Sequence, residues 1–213
     1  MSRDIFYKNC ILKKIQDLNS RILVLGAGEL DENVFKELGF KNITFSNYTN
    51  KKKFKDYYEN ILLQKIELND NSYDYCVAHA CIHHSSKPHS AILEMYRVAK
   101  KGILVIEAND SLVTRISCKL GISEEYEKSA IIKNINYGGV DNTNIPNYVY
   151  RWTEREVTKL INSYNPGKEN YISFTYGYDF KFSKNLFLKF FVKVFFSIFK
   201  KQQNLFAFFI EKN

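Results

Sequence analysis

The chain lacks the features that would make it secreted, membrane-spanning or disulfide-stapled. Its four cysteines, Cys10, Cys76, Cys81 and Cys118, fall at no disulfide-framework or zinc-ribbon spacing and read as reduced thiols of a cytoplasmic protein. Lysines interrupt every apolar stretch before about 18 residues, so no transmembrane helix is expected. No basic, then apolar, then small-residue start resembles a secretory signal. Internal repeats and linker-like runs are missing too, and the 213 residues are expected to fold as one domain, 1–213.

Acid is scarce in one place. Residues 180–213 hold seven lysines and a single acid, Glu211, together with 11 of the 17 phenylalanines. The formal charge of +8 is therefore concentrated in the tail, which does not describe a basic field spread for nucleic acid. In the segment Asn185–Lys201 the residues Lys189, Lys193, Ser197 and Lys200 fall on one narrow helical stripe among Phe, Val, Leu and Ile. A helix this apolar is expected to be buried against a sheet. The alternative is peripheral contact with an anionic membrane through 185–201.

What is present alternates strand with helix. Residues 3–18 are expected to be an amphipathic helix using Ile5, Ile11, Leu12 and Ile15. Arg21–Leu25 is an apolar strand running into Gly26-Ala-Gly28, a turn that lets backbone N–H groups approach a ligand. A helix over Asp31–Leu38 stops at Gly39, and strands follow at Asn42–Ser46, near Ile61–Ile66 and at Tyr73–Ala78. The lysine-rich stretch Lys51–Asn60 reads as helix or loop. Pro88 opens a helix expected to reach Lys101 and stop at Gly102, before a strand at Ile103–Glu107. Residues 108–150 read as a covering segment. Thr153 with Glu156 marks a helix start, and Tyr171–Tyr176 and Asn204–Glu211 are the last strands. The fold class is α/β, doubly wound, with a mostly parallel sheet.

Four stretches in this order carry a resemblance. Asp70-Asn-Ser-Tyr-Asp-Tyr-Cys-Val, Cys81-Ile-His-His84, Leu93 to Gly102 and Trp152-Thr-Glu-Arg-Glu156 are similar to the motifs of class I S-adenosylmethionine (SAM)-dependent methyltransferases, in particular the small "type 11" group. The resemblance implies a Rossmann-like sheet with a terminal antiparallel strand, SAM as cofactor and S-adenosylhomocysteine (SAH) as product. It places Gly26, Ala27, Gly28, Glu29, Asn47, Ala78 and His79 at the cofactor, with Asn47 in the ribose position. Three positions depart from the pattern: Leu30 replaces the third glycine, Val24 the acid inside the first strand, and Asn47 the acidic ribose ligand.

All four histidines, His79, His83, His84 and His89, lie within 11 residues at the end of the fourth strand. His84 or His79 is the expected proton acceptor. The other reading makes His83-His84 a turn that shields the cofactor. A metal site from His79, His83 and Cys81 is a third, less favoured option, and no metal is expected. Glu107 and Asp110 are further candidates or helix caps. Asn142, Asn144, Tyr148, Tyr150 and Arg151 are expected to line an acceptor pocket, Arg151 suiting a phosphate or carboxylate.

The expected activity is methylation of an oxygen on a small, saccharide-like or phosphate-type acceptor. No Asn-Pro-Pro-Tyr-type motif follows the fourth strand, which argues against amino-group methylation of nucleic acid or protein. Near relatives of this motif set resemble enzymes that tailor bacterial surface polysaccharides, so a nucleotide-linked acceptor is favoured and no nucleic-acid partner is expected. The rivals are a non-catalytic methyltransferase-like binding protein and, third, an RNA methyltransferase.

Overall fold

The computed structural model describes residues 2–48, 58–133, 137–167, 170–179 and 186–212. Its centre is a seven-stranded sheet built from β1 (Arg21–Leu25), β2 (Asn42–Asn47), β3 (Glu59–Asn60), β4 (Tyr73–His79), β5 (Ala99–Ala108), β6 (Tyr171–Gly177) and β7 (Leu205–Glu211), in the order β3-β2-β1-β4-β5-β7-β6. The pairs β2–β3, β1–β2, β1–β4 and β4–β5 are parallel, and β7 runs antiparallel to both β5 and β6. The expected doubly wound sheet with a terminal antiparallel strand is what the chain forms.

Seven α-helices are described: α1 (Arg3–Lys14), α2 (Glu29–Leu38), α3 (Pro88–Val98), α4 (Leu112–Lys119), α5 (Lys128–Lys133), α6 (Glu154–Tyr164) and α7 (Leu186–Ile198). Strand side chains alternate between faces, which divides the core in two. Leu23, Leu25, Cys76, Ala78, Ile103, Val105, Phe206 and Phe208 face Ala91, Ile92 and Met95 of α3 and Val157 and Ile161 of α6. Ile22, Val24, Val77, Leu104, Ile106, Ala207 and Phe209 face Phe6, Tyr7, Cys10 and Ile11 of α1 and Val34 and Phe35 of α2. With both faces covered, β1 and β5 are buried apolar runs rather than alternating ones.

The quoted motifs explain each other structurally. Arg97 of α3 binds Asp70 at 2.7 Å, Glu94 at 2.8 and 2.9 Å, and the backbone oxygens of Ile66 and Leu68. Asp74 accepts from the Arg21 N–H at 2.9 Å and pairs with Lys101 at 3.1 Å. These carboxylates fix the start of β4 and lie outside the cavity described below.

Several boundaries differ from expectation. α1 stops at Lys14 and buries Phe6, Tyr7, Cys10 and Ile11, while Ile5 and Leu12 are exposed. The helix from Pro88 ends at Val98, because Ala99 is extended and already pairs with Tyr73; Gly102 lies inside β5. β3 is only Glu59–Asn60, and 61–66 forms a turn that buries Leu63 and Ile66. The expectation for Lys51–Asn60 lies outside the described residues as far as Tyr57. Thr153 caps α6 by accepting from the Glu156 N–H, but the Glu156 side chain turns to His89 and Tyr150.

The largest difference is α7. Phe196 is 3% exposed, but Phe190 is 62%, Ile198 67% and Phe199 52% exposed. The expected burial of this helix against the sheet does not occur over residues 190–199. Strand pairing fills both sides of β7, and the faces it completes are already covered by other helices, so α7 is left at the periphery.

Candidate functional site

After β1 the chain moves to β2 and β3, then crosses back to β4 on the other side of β1. Such a switch point leaves a crevice at the carboxyl ends of the strands. Here it is a cavity of about 560 Å³, within the range of small-molecule sites. Gly26 forms part of its wall with φ +60°, and a Cβ there would lie 2.5 Å from the Cys81 Cβ. Only glycine fits, and its bare backbone faces the space.

Asn47, at the end of β2, also lines the cavity. Its Nδ2 donates to the Ala27 carbonyl at 2.9 Å and its Oδ1 accepts from the Tyr48 N–H at 2.8 Å. One lone pair and one N–H remain on the amide. The other residues expected at the cofactor stand back from the cavity. Ala27 and Ala78 are fully buried behind it, and Gly28 caps α2, donating to Asp31 Oδ2 at 2.9 Å. Glu29 is exposed in the first turn of α2. Ala80 and Cys81 take the wall position instead, with Ala80 at φ +50°.

The four histidines separate. His79 shares the sheet face of Tyr75 and Val77, so it turns toward α1 and stacks on Tyr7 with ring centroids 4.5 Å apart. Burial, and then Arg3, lower its pKa to about 4. It is a neutral core histidine away from the cavity, and the geometry does not support it as proton acceptor or cofactor contact. His89 pairs with Glu156 at 3.0 Å at another surface. Cys81 donates its thiol to the Leu25 carbonyl, so His79, His83 and Cys81 do not converge on a metal.

His83 and His84, in a short 3-10 turn after β4, pack together with ring centroids 4.5 Å apart and planes tilted by 38°. The fully buried Glu107 at the end of β5 holds His83 Nδ1 at 2.6 Å and accepts from the Ile82 N–H at 2.7 Å. Glu127, in the covering segment, lies 3.5 Å from His83 Nε2 and 3.3 Å from His84 Nε2. Burial opposes charge on His83, but Glu107 and then Glu127 outweigh it and push its pKa up to about 10. The neighbouring imidazole of His83 brings Glu127 down to about 2, against the effect of burial. Burial, and then the charge on His83, lower His84. His84 and Glu127 both line the cavity. The arrangement therefore presents a neutral imidazole beside a carboxylate.

From the segment expected to cover the site, Glu127, Gly138, Gly139, Asp141 and Asn142 are among the residues that line the cavity. Asn142 donates to the Tyr48 carbonyl at 2.9 Å and accepts from the Gly138 N–H, while Asp141 accepts from Gln64 and the Ser86 N–H, both at 3.1 Å. Both residues have positive φ and line the cavity. A Cβ on Gly139 would lie 1.9 Å from the Ile145 carbonyl oxygen, so glycine is obligatory in this turn. Of the five expected acceptor contacts, only Asn142 reaches the cavity. Asn144 is exposed, Tyr148 packs on Tyr126, and Tyr150 binds Glu156. Arg151 donates to the backbone oxygens of Val149 and Glu124. Asp110 pairs with Arg115.

Sequence reasoning missed Glu127, Asp141 and Gln64. Each is an unremarkable polar residue far along the chain from the histidines, and only folding brings it to them.

Residues 41–106 match a family model described as a methyltransferase domain. The match starts after the glycine turn, where the departures Val24 and Leu30 lie. No curated protein matches the sequence. Among solved structures, a SAM-dependent methyltransferase from Thermotoga maritima is 13% identical with a TM-score of 0.54, covering 99% of this chain and 89% of that one. A methyltransferase from Haloferax volcanii in complex with the activator Trm112 is 11% identical with a TM-score of 0.59, covering 97% and 88%. Magnesium protoporphyrin IX methyltransferase from Synechocystis PCC 6803, with bound SAH, is 10% identical with a TM-score of 0.56, covering 99% and 82%. The chain has the class I SAM-dependent methyltransferase fold.

Proposed function

We propose that this protein transfers a methyl group from SAM to an oxygen of a small acceptor carrying hydroxyl or phosphate groups. The observation that carries the reading is the cavity at the β1/β4 switch point, where Gly26 bares its backbone and Asn47 keeps one acceptor and one donor position open. A vicinal ribose diol would fit that pair of positions. Asn47 is neutral, so it binds a diol more weakly than a carboxylate would, by about 1 kcal/mol. SAM, when bound, supplies a methyl group activated by its sulfonium charge.

The chain's own residues then do three things. The turn 138–142, pinned to Tyr48, Gln64 and Ser86, closes one wall and limits water. The polar edge formed by Gln64, Asp141 and Asn142 suits hydroxyls of a saccharide-like acceptor. The neutral ring of His84 is available to receive the acceptor's proton as its oxygen attacks the methyl carbon and the carbon–sulfur bond breaks toward sulfur. A nucleotide-linked sugar, of the kind consumed in surface-polysaccharide assembly, is the acceptor class to test first.

Calorimetry with SAH tests the cofactor step. Micromolar binding is expected, weakened about fivefold in Asn47→Ala and abolished in Gly26→Val. A folded protein that shows no binding at millimolar SAH would support the non-catalytic alternative.

A further inference from the structure

We infer that His83, His84 and Glu127 form a site for a divalent transition-metal ion at the wall of the cavity. One ligand atom from each of His83, His84 and Glu127 lies within 4.8 Å of the other two, and both Nε2 atoms approach the same Glu127 oxygen. The separations from Glu127, 3.5 and 3.3 Å, are long for charge-assisted hydrogen bonds, which run at about 2.7–2.9 Å. The 2.6 Å contact between His83 and Glu107 shows such a bond in the same cluster. Bonds of about 2.1 Å to a tetrahedral ion instead give ligand–ligand edges of about 3.4 Å.

The surrounding contacts are those a metal ligand needs. A ligating histidine commonly passes its other ring N–H to a carboxylate or a backbone carbonyl. Here Glu107, itself anchored by the Ile82 N–H, takes His83 Nδ1. Asn147, wholly buried, donates to Glu127 at 3.3 Å, and its own Oδ1 has no partner among the described residues. Metal binding displaces the Nε2 proton of His83 to solvent; two histidines and one carboxylate then leave coordination positions open, and His84 and Glu127 face the cavity. In the metal-loaded state an acceptor hydroxyl or phosphate oxygen could occupy them; His84 is then a ligand, and solvent takes the hydroxyl proton in place of the transfer to His84 that the metal-free site allows. The site itself is independent of the proposed methyl transfer. Its use for an acceptor rests on that reading.

The test is Zn²⁺ titration of the chelator-stripped full chain against a chromophoric competitor, with Co²⁺ as a spectroscopic substitute and SAH binding measured on the same samples. One equivalent of Zn²⁺ at micromolar affinity or better is expected, with ligand-field bands for Co²⁺. Glu127→Gln and His84→Gln should each weaken uptake by roughly 10–100-fold or more, and His89→Gln should leave it unchanged. Absence of stoichiometric uptake by folded wild-type protein, or uptake indifferent to Glu127→Gln, would overturn the site. SAH binding without Zn²⁺ uptake removes the metal and keeps the methyl-transfer reading, and Zn²⁺ uptake without SAH binding does the reverse.

A separate observation carries a second inference: we propose that α7 lies on an anionic lipid surface. Phe190, Val194 and Ile198 form an exposed apolar face on the side opposite Phe196, with Phe195 and Phe199 beside it. Lys193 of the helix and Lys200 just beyond its end are exposed, and Glu211 is the only acid in 180–213. Like charges disfavour pairing this face with a second copy, whereas a negatively charged bilayer accepts both the phenylalanines and the lysines. The protein should co-sediment with phosphatidylglycerol vesicles and not with phosphatidylcholine vesicles. Ile198→Asp, and independently Lys193→Glu with Lys200→Glu, should each reduce binding at least tenfold. Self-association that Ile198→Asp abolishes, without vesicle binding, would overturn the proposal.

Discussion

Helix α7 and strand β7 are neighbours in sequence, rich in the same residue, and meet opposite fates. Phe206, Phe208 and Phe209 of β7 are at most 5% exposed, whereas Phe190 and Phe195 of α7 are 62% and 39% exposed. β7 enters the gap between β5 and β6, so its backbone is paired on both sides and its two faces complete both halves of the core. α7 is held at its end by polar contacts. Gln203 donates to the Phe196 carbonyl at 2.9 Å, and Asn109 donates to the carbonyls of Lys201 and Gln203 at 2.9 and 2.7 Å. Apolar composition alone therefore does not report burial. Position relative to the sheet does.

The contrast can be broken by substitution. Phe208→Ala empties a fully buried site and should cost about 3–5 kcal/mol in urea unfolding. A cost below about 1 kcal/mol would show that β7 is not the closing strand it looks like.

Next comes a buried titratable group. His79 has a folded pKa of about 4 against an ordinary value of 6.5, so it binds fewer protons folded than unfolded between those values. Its contribution is complete above pH 6.5 and is lost as pH falls toward 4, to a limit of roughly 3 kcal/mol. It faces Asp31 at 3.9 Å, the Tyr7 ring, Arg3 and Glu107. Burial raises Asp31, an effect of the opposite sign that acts in the carboxylate range. Stability measured from about pH 8 to 4 should lose this slope in His79→Phe; an unchanged slope would place the titration elsewhere.

Asn109→Ala removes the anchor between the end of β5 and the turn after α7 and should cost about 1–3 kcal/mol, because one buried and one part-buried carbonyl lose their donor. Hydrogen exchange should rise first around residues 196–204. The smallest effect is expected on the exposed face, where Ile198→Ser should change stability by about 0.5 kcal/mol or less.

Much of the sheet is legible in the sequence, and less of the site. β1 and β5 stand out because strands covered on both faces carry continuous apolar runs, and the Gly26 turn because only glycine tolerates its φ and its contact with Cys81. His79 was readable in principle: counting by twos from Val77 puts it on the α1 face. Arg151 and Tyr150 look like ligand-binding groups in isolation, yet neighbouring carbonyls and Glu156 consume their hydrogen bonds. No spacing rule connects Glu127 to His83 and His84, since they lie 43 or more residues apart.

The sequence by itself determined the alternation of strand and helix, the glycine turn, and the clustering of histidines at the end of β4, because these depend on local periodicity and backbone freedom. Tertiary structure alone decided which histidine reaches the cavity, which carboxylates meet it, and which phenylalanines are covered. Those outcomes depend on strand parity, crossover and the order of the sheet, which bring together residues that are distant along the chain.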